Sequence, residues 1–327
     1  MYICNSKCNF LMNNRNPTID IAKAIGILLM ILGHCHGLPF LLRNFIFSFH
    51  MPLFLILSGY FYKEKKIKDI IISGNKHLVK PYFITSFFCI LLCVTADDIG
   101  YAKSKIIGTI MSNGGWPDEL FGARLPYIGP IWFLLALFWC KIFYAYLKLK
   151  TKKCLFYSFL ISTIAFIIGK YVMNFPLGIL TGFCAMVFYS IGDYWKNRIG
   201  ESLKSPYFIG GLIIWAFCII RAHLELATFD CSHYPISMLA SFIGTYTIFM
   251  ISKKVPFSLH PLFCWIGQNS LLILCYHTLS EYIILNINHF FFEPNVIVKY
   301  SITFSIITSI FSLGLPYLHT ILSKQIS

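Results

Sequence analysis

The sequence predicts an all-α, polytopic integral membrane protein with about ten transmembrane helices and both termini cytoplasmic. Three observations carry this. Of the 327 residues, 57% are hydrophobic and only 12% charged, where soluble domains carry roughly 25% charged residues; the mean hydropathy of +0.70 agrees. Apolar runs long enough to span hydrocarbon, about 20 residues each, recur along the chain. The segments between them alternate in Lys and Arg content.

The runs fall at 19–38, 41–62, 78–96, 127–147, 155–173, 177–194, 206–222, 234–252, 262–285 and 296–322. They are too long and too continuously apolar for barrel strands, which alternate. In the second run Pro52 lacks a backbone donor and is expected to kink the helix, while Ser58 and Gly59 are small enough for close helix approach. A short turn around Asn174–Pro176 separates the fifth and sixth runs. Two outer segments, 97–126 and 221–234, exceed the minimum needed to connect helices and read as functional loops. With the N-terminus inside, the inner segments carry 18 Lys and Arg against 7 on the outer side. The resulting division is a cytoplasmic segment 1–18, a membrane domain 19–322 and a cytoplasmic tail 323–327. No internal repeat or soluble domain is visible.

The formal charge of +14 would suit nucleic acid, but the basic residues lie in short loops between apolar runs, where orientation accounts for them. Nucleic acid is therefore excluded as a partner. The twelve cysteines form no CxxC pair and mostly lie inside apolar runs, where cysteine acts as a small hydrophobe. No disulfide framework is expected. A cleavable signal peptide is not expected either, because the first run contains Lys23 and lacks a small-x-small site.

Lys23 and His34 lie eleven residues apart in the first run with no acidic residue between them. Polar groups in hydrocarbon are costly and usually face a cavity or pathway. Eleven residues is close to three turns, so both side chains project from nearly one face, about 16 Å apart along the axis. Lys23 alone also fits a snorkelling interface lysine. His34 alone also fits a neutral imidazole bonded to a neighbouring helix. His36 points away from His34 on a helix, so the two do not share a metal, and no metal site is expected. His50 in the second run either joins His34 or bonds a carbonyl freed by the kink. His277 in the ninth run falls at similar depth, with Glu281 one turn on to orient its ring. The basic stretch Lys63-Glu64-Lys65-Lys66-Ile67-Lys68 and the group Lys76, His77 and Lys80 fit inner-side topology, or a seat for an anionic donor bearing phosphates.

The pattern resembles the acyltransferase 3 family of membrane-bound acyltransferases, within it the fucose 4-O-acetylase-like branch. The likeness rests on Ile19-Asp20-Ile21-Ala22-Lys23 with His34 following, Ser48-Phe49-His50-Met51-Pro52 with Leu57-Ser58-Gly59, and Pro81-Tyr82. It continues through Gly129-Pro130-Ile131-Trp132-Phe133 to Gly267-Gln268-Asn269-Ser270 leading to His277. The first two blocks are the specific ones. The resemblance implies transfer of an acyl group, usually acetyl, from cytoplasmic acyl-CoA to a sugar hydroxyl facing the other side of the membrane. It implies His34 as the catalytic histidine, Lys23 as its basic partner and His50 as a second family histidine. Lys76 and His77 stand where the family often has an arginine for the donor, and Lys80 beside them is a further donor-side candidate. Arg124, Trp132, His277 and Glu281 are expected on the acceptor side, with Arg221 and Asp230 as further outer contacts.

The expected activity is acetyl-CoA-dependent O-acetylation of a cell-surface polysaccharide or its lipid-linked precursor. Acetyl-CoA is a substrate and no bound cofactor is expected. The other partners are the bilayer, expected to be a bacterial inner membrane, and the glycan. His34 serves either as general base or as a transient acyl carrier. A multi-span transporter or flippase of glycan intermediates is the alternative, since intramembrane histidines and broken helices suit that class too. No hydropathy repeat between halves supports it.

Overall fold

The computed structural model describes residues 16–35, 38–95, 99–112, 114, 118–120, 123–125, 128–172, 175–196, 205–221, 224–231, 233–291 and 301–326. Each of the ten apolar runs holds a helix. The first is α1, Pro17–Gly33. Next come α2, Phe40–Phe47, and α3, His50–Tyr60; then α4, Ile67–Gly74, and α5, Lys80–Thr95, joined by a π turn at Asn75–Val79. A helix α6, Ile99–Met111, follows. The chain continues through α7, Trp132–Lys150; α8, Cys154–Tyr171; α9, Ile179–Trp195; α10, Ser205–Arg221; and α11, Tyr234–Ser252. It ends with α12, His260–Gln268; α13, Ser270–Phe291; and α14, Ser301–Ile326. Among the described residues seven helical stretches are long and apolar enough to cross a membrane: Phe40–Tyr60, Ile67–Val94, Trp132–Lys150, Cys154–Tyr171, Pro176–Trp195, Tyr234–Ser252 and Ile306–Ser323. Phe208–Ile220 and Ser270–Ile284 are shorter apolar stretches, and α1 has 17 residues.

Two helix crossings set the frame. The α3 and α9 helices meet backbone to backbone: any side chain at Gly59 would collide with the Tyr189 carbonyl, and any at Gly192 with that of Ile56. The small residues of the second run thus do what their size allows. Likewise α12 lies on α1 because Gly267 leaves room for the Asp20 carbonyl. Near the end of α7, Asp193 of α9 accepts from Tyr144 and Lys148, both at 2.7 Å. The buried core joins α1, α3, α7 and α9. The outward faces of α8 and α14 stay apolar and open, as at Phe156, Ile167 and Ile310, which suits lipid as solvent.

Three expectations need correction. The second run is two helices rather than one kinked helix. It breaks at Ser48–Phe49, where Phe49 has φ −145° and ψ −19°. Pro52 follows in the first turn of α3; its absent N–H leaves the Ser48 carbonyl, four residues back, without a helical donor, and its ring crowds that carbonyl, so the expected effect of the proline is seen as a full break. The freed carbonyl is satisfied from elsewhere, as Ser241 of α11 donates to it at 2.7 Å, while Trp215 of α10 donates to the Ser48 hydroxyl oxygen at 3.3 Å. The outer segment 97–126 is not simply a loop. It holds α6 and a two-stranded hairpin, Asp118–Leu120 paired with Ala123–Leu125. The segment 221–234 contains a second small hairpin, Leu224–Glu225 with Asp230–Cys231. Its Leu224, Leu226, Ala227 and Phe229 are buried.

Candidate active site

The site begins at the start of α1. Asn16 caps the helix, its side chain accepting from the Thr18 N–H at 3.1 Å, and Pro17 occupies the first turn, where proline is favoured. One turn in, buried Asp20 accepts a 3.0 Å hydrogen bond from Gln268 Nε2. The Gly267–Gln268 pair therefore fixes the rotation of α1. With that rotation set, Lys23, Ile27 and Met30 line one cavity, as positions three and four apart share a helix face.

His34 follows as the C-cap of α1, with φ −88° and ψ −4°. The helix is expected to run to residue 38, but it ends at Gly33. The αR conformation of the cap carries the face onward, so His34 still continues the line of Lys23. Its Nδ1 lies 2.8 Å from the Met30 carbonyl oxygen. A carbonyl only accepts, so Nδ1 carries the hydrogen of the neutral ring and Nε2 keeps its lone pair. His36 lies outside the described residues.

The three expected histidines converge. The His34 and His277 rings meet edge to face with centroids 5.6 Å apart. Phe47 stands between His34 and His50, at 5.9 Å and 4.8 Å. His50 is buried, and its Nδ1 lies 3.0 Å from the Ile46 carbonyl. It therefore bonds a carbonyl at the break between α2 and α3, one that also accepts from the Phe49 N–H at 3.3 Å. His277 Nδ1 lies 3.0 Å from Ser312 Oγ of α14. That hydroxyl donates to the Thr308 carbonyl, so it accepts from His277. His277 Nε2 then faces Glu281 Oε1 at 3.4 Å, too poorly aligned to count as a hydrogen bond.

Below His34 a cavity of about 530 Å³ opens between α1, α3, α4, α7 and the α12–α13 junction. One end is charged, with Lys23, Lys63, Lys65, His77 and Lys141, and Asp69 as the acidic member. The other is apolar, walled by Met30, Met51, Phe54, Phe133, Leu134 and Leu274. Lys23 Nζ sits 5.1 Å from the centroid of the Phe61 ring. Tyr62 also lines the charged end; burial, with help from Glu64, pushes its phenol up to about 12, so it stays a neutral donor. The cavity ends at Met30, the residue whose carbonyl holds His34.

The remaining candidates divide. His77 lines the cavity, but Lys76 and Lys80 are exposed and outside its lining. The π turn spanning 75–79 adds a residue to the turn and shifts the register between α4 and α5. Trp132 is buried and packs on Gly114, where a Cβ would strike its ring. Arg124 is in the first hairpin opposite Glu119; its side chain, like that of Arg221, lies outside the described residues. Asp230 is 3.7 Å from Lys170 Nζ. Tyr82 of the Pro81–Tyr82 block is fully buried and donates to the Thr109 carbonyl at 2.7 Å, so it pins α6 onto α5. Lys141 is a cavity residue that the sequence pattern did not single out.

The family described as an acyltransferase domain, the acyltransferase 3 family, matches residues 16–321. The chain belongs to this family. Its helices are those of an all-α polytopic membrane protein. The chain is also similar to the nodulation protein NolL of Mesorhizobium japonicum, 29% identical over 139 residues. That match covers 38% of this chain and 34% of the relative, so the chain spans about a third of the relative it matches. No solved structure matches. The acyltransferase match runs from the cap of α1 into α14, and so includes every helix that contributes to the cavity and the histidine cluster.

Proposed function

We propose that this acyltransferase moves an acetyl group from cytoplasmic acetyl-CoA to a hydroxyl of a cell-surface polysaccharide or its lipid-linked precursor, in a bacterial inner membrane with both termini cytoplasmic. One observation carries the reading: a single cavity is cationic at one end, apolar along its length, and ends one turn below His34. Acyl-CoA has the matching order of parts, with phosphates at one end, a long neutral arm, and a thioester at the tip. Lys and His side chains suit the phosphates, and the apolar walls suit the arm.

His34 Nε2 is the reacting atom. As a base it takes the proton of the acceptor hydroxyl while the oxygen attacks the thioester carbonyl. The tetrahedral adduct collapses, the carbon–sulfur bond breaks, and the thiolate leaves and regains a proton. As an acyl carrier the same nitrogen attacks first, expels the thiolate, and then yields the acyl group to the hydroxyl. General-base help contributes about 10²–10⁴-fold, and the Met30 carbonyl supplies orientation, as holding one ring nitrogen aims the other. His277 and Glu281 stand on the far side of His34 and are suited to position the acceptor hydroxyl.

The test uses membrane vesicles bearing the protein, acetyl-CoA labelled in the acetyl group, and endogenous glycan. The expected product is labelled glycan whose label is released by mild alkali, as an O-ester requires. Glycan that stays unlabelled while the protein is folded and present overturns the reading. Movement of glycan precursor without acetyl-CoA favours the transporter class instead.

A further inference from the structure

Lys141 lies on α7 in one stripe with Phe133, Leu134 and Leu137, all facing the cavity. The opposite wall, on α1, repeats the order with Lys23, Ile27 and Met30. Each wall thus places a lysine at the junction between the charged end and the apolar shaft. Lys141 is nine residues before the end of α7 at Lys150, about 14 Å from that end along the axis. Lys23 and Lys65 line the same cavity and carry the same charge. Among the described residues no carboxylate forms an ion pair with Lys141. Lys148, on the same helix, shows the contrast, with Asp193 at 2.7 Å. Gathering ammonium groups at membrane depth is costly, and a multiply charged anion among them reverses the sign of the interaction.

The geometry points to Lys141, with Lys23 across the cavity, as the seat of the donor's diphosphate and so as the residue that selects a nucleotide-bearing thioester over a phosphate-free one. The inference rests on the acyl-CoA reading of the cavity. The diphosphate is chosen over the ribose phosphate because it is the anionic group that adjoins the neutral arm, as these lysines adjoin the apolar walls. The ribose phosphate then falls nearer the exposed Lys63 and Lys65.

The test compares two donors, acetyl-CoA and S-acetylpantetheine, which has the same arm and thioester without phosphate. In Lys141→Met the ratio of kcat/KM for acetyl-CoA over S-acetylpantetheine falls at least about tenfold, the loss expected for a charge-assisted contact, and the fall appears in KM. Lys141→Arg keeps the charge and most of the ratio. Unfolding gives an independent readout: CoA raises the melting temperature of the wild type and Lys141→Arg, and much less that of Lys141→Met, whose ligand-free stability is no lower. An unchanged ratio in Lys141→Met, with acetyl-CoA active on the wild type, overturns the inference and leaves the donor reading standing. A wild type that uses neither donor defeats the donor reading and the inference with it.

Discussion

Gln268 Nε2 donates a 3.0 Å hydrogen bond to Asp20 Oδ2, from the end of α12 to the first turn of α1. The bond sets the rotation that aims Lys23, Ile27 and Met30 at the cavity, and it gives the buried Asp20 carboxylate a donor. Gln268→Leu leaves that carboxylate without it. The expected cost is about 1–3 kcal/mol, read as a lower melting temperature in detergent. A melting temperature equal to the wild type contradicts the assignment.

The α3–α9 crossing depends on the absence of two side chains. Gly59→Val or Gly192→Val drives a side chain into a facing carbonyl, and neither helix can withdraw without opening the core. Both variants should fail to give a monodisperse peak on size exclusion. Gly210→Ala, with nothing within 4 Å of the new methyl, should elute like the wild type. A monodisperse Gly192→Val would mean that the helices do not meet as described.

His50 is bonded to Ile46 across the break between α2 and α3, and the Phe47 ring packs on both it and His34. We propose a positioning role for it. His50→Asn keeps a donor near the place of Nδ1 and should retain a substantial fraction of transfer. His50→Leu loses the donor, leaves the Ile46 carbonyl only its 3.3 Å bond from the Phe49 N–H, and should lower both stability, by about 1 kcal/mol, and rate. Equal, complete loss of transfer in both variants, with folding intact, would give His50 a direct chemical part instead.

Ser312 fixes the His277 ring by accepting from Nδ1. Ser312→Ala removes the acceptor and lets the ring turn. The expected result is a higher KM for the acceptor glycan with little change in KM for the acyl donor. The opposite pattern would move His277 to the donor side.

The Lys23–His34 line was legible because it depends on helix period alone, and the period holds through the cap at His34. The Gly267–Gln268–Asn269–Ser270 block was legible as a pattern, but its task was not, since Gln268 works on a residue 248 positions away. The break at Ser48 was legible as a distortion from Pro52, four residues on; what satisfies it was not, since Trp215 and Ser241 are 167 and 193 positions distant. The α6 helix was hidden because Lys103 and Lys105 interrupt its apolar pattern; Lys105 is fully buried, with Nζ 5.1 Å from the Tyr282 ring centroid. His77 could not be told from Lys76 and Lys80, since a π turn leaves no period to read. Lys141 was lost inside an apolar run, where one charge barely alters the hydropathy.

We propose that His34 Nε2 performs the transfer while Nδ1 only holds the ring to Met30. His34→Asn separates the two nitrogens, because the amide can donate to the Met30 carbonyl but offers no base in place of Nε2. The decisive measurement is the rate of acetyl transfer from labelled acetyl-CoA to glycan by purified, reconstituted His34→Asn protein, beside its melting temperature. The expected result is a loss of at least about 10²-fold in rate with the melting temperature unchanged. Transfer within a few-fold of the wild type, by folded protein, would contradict it.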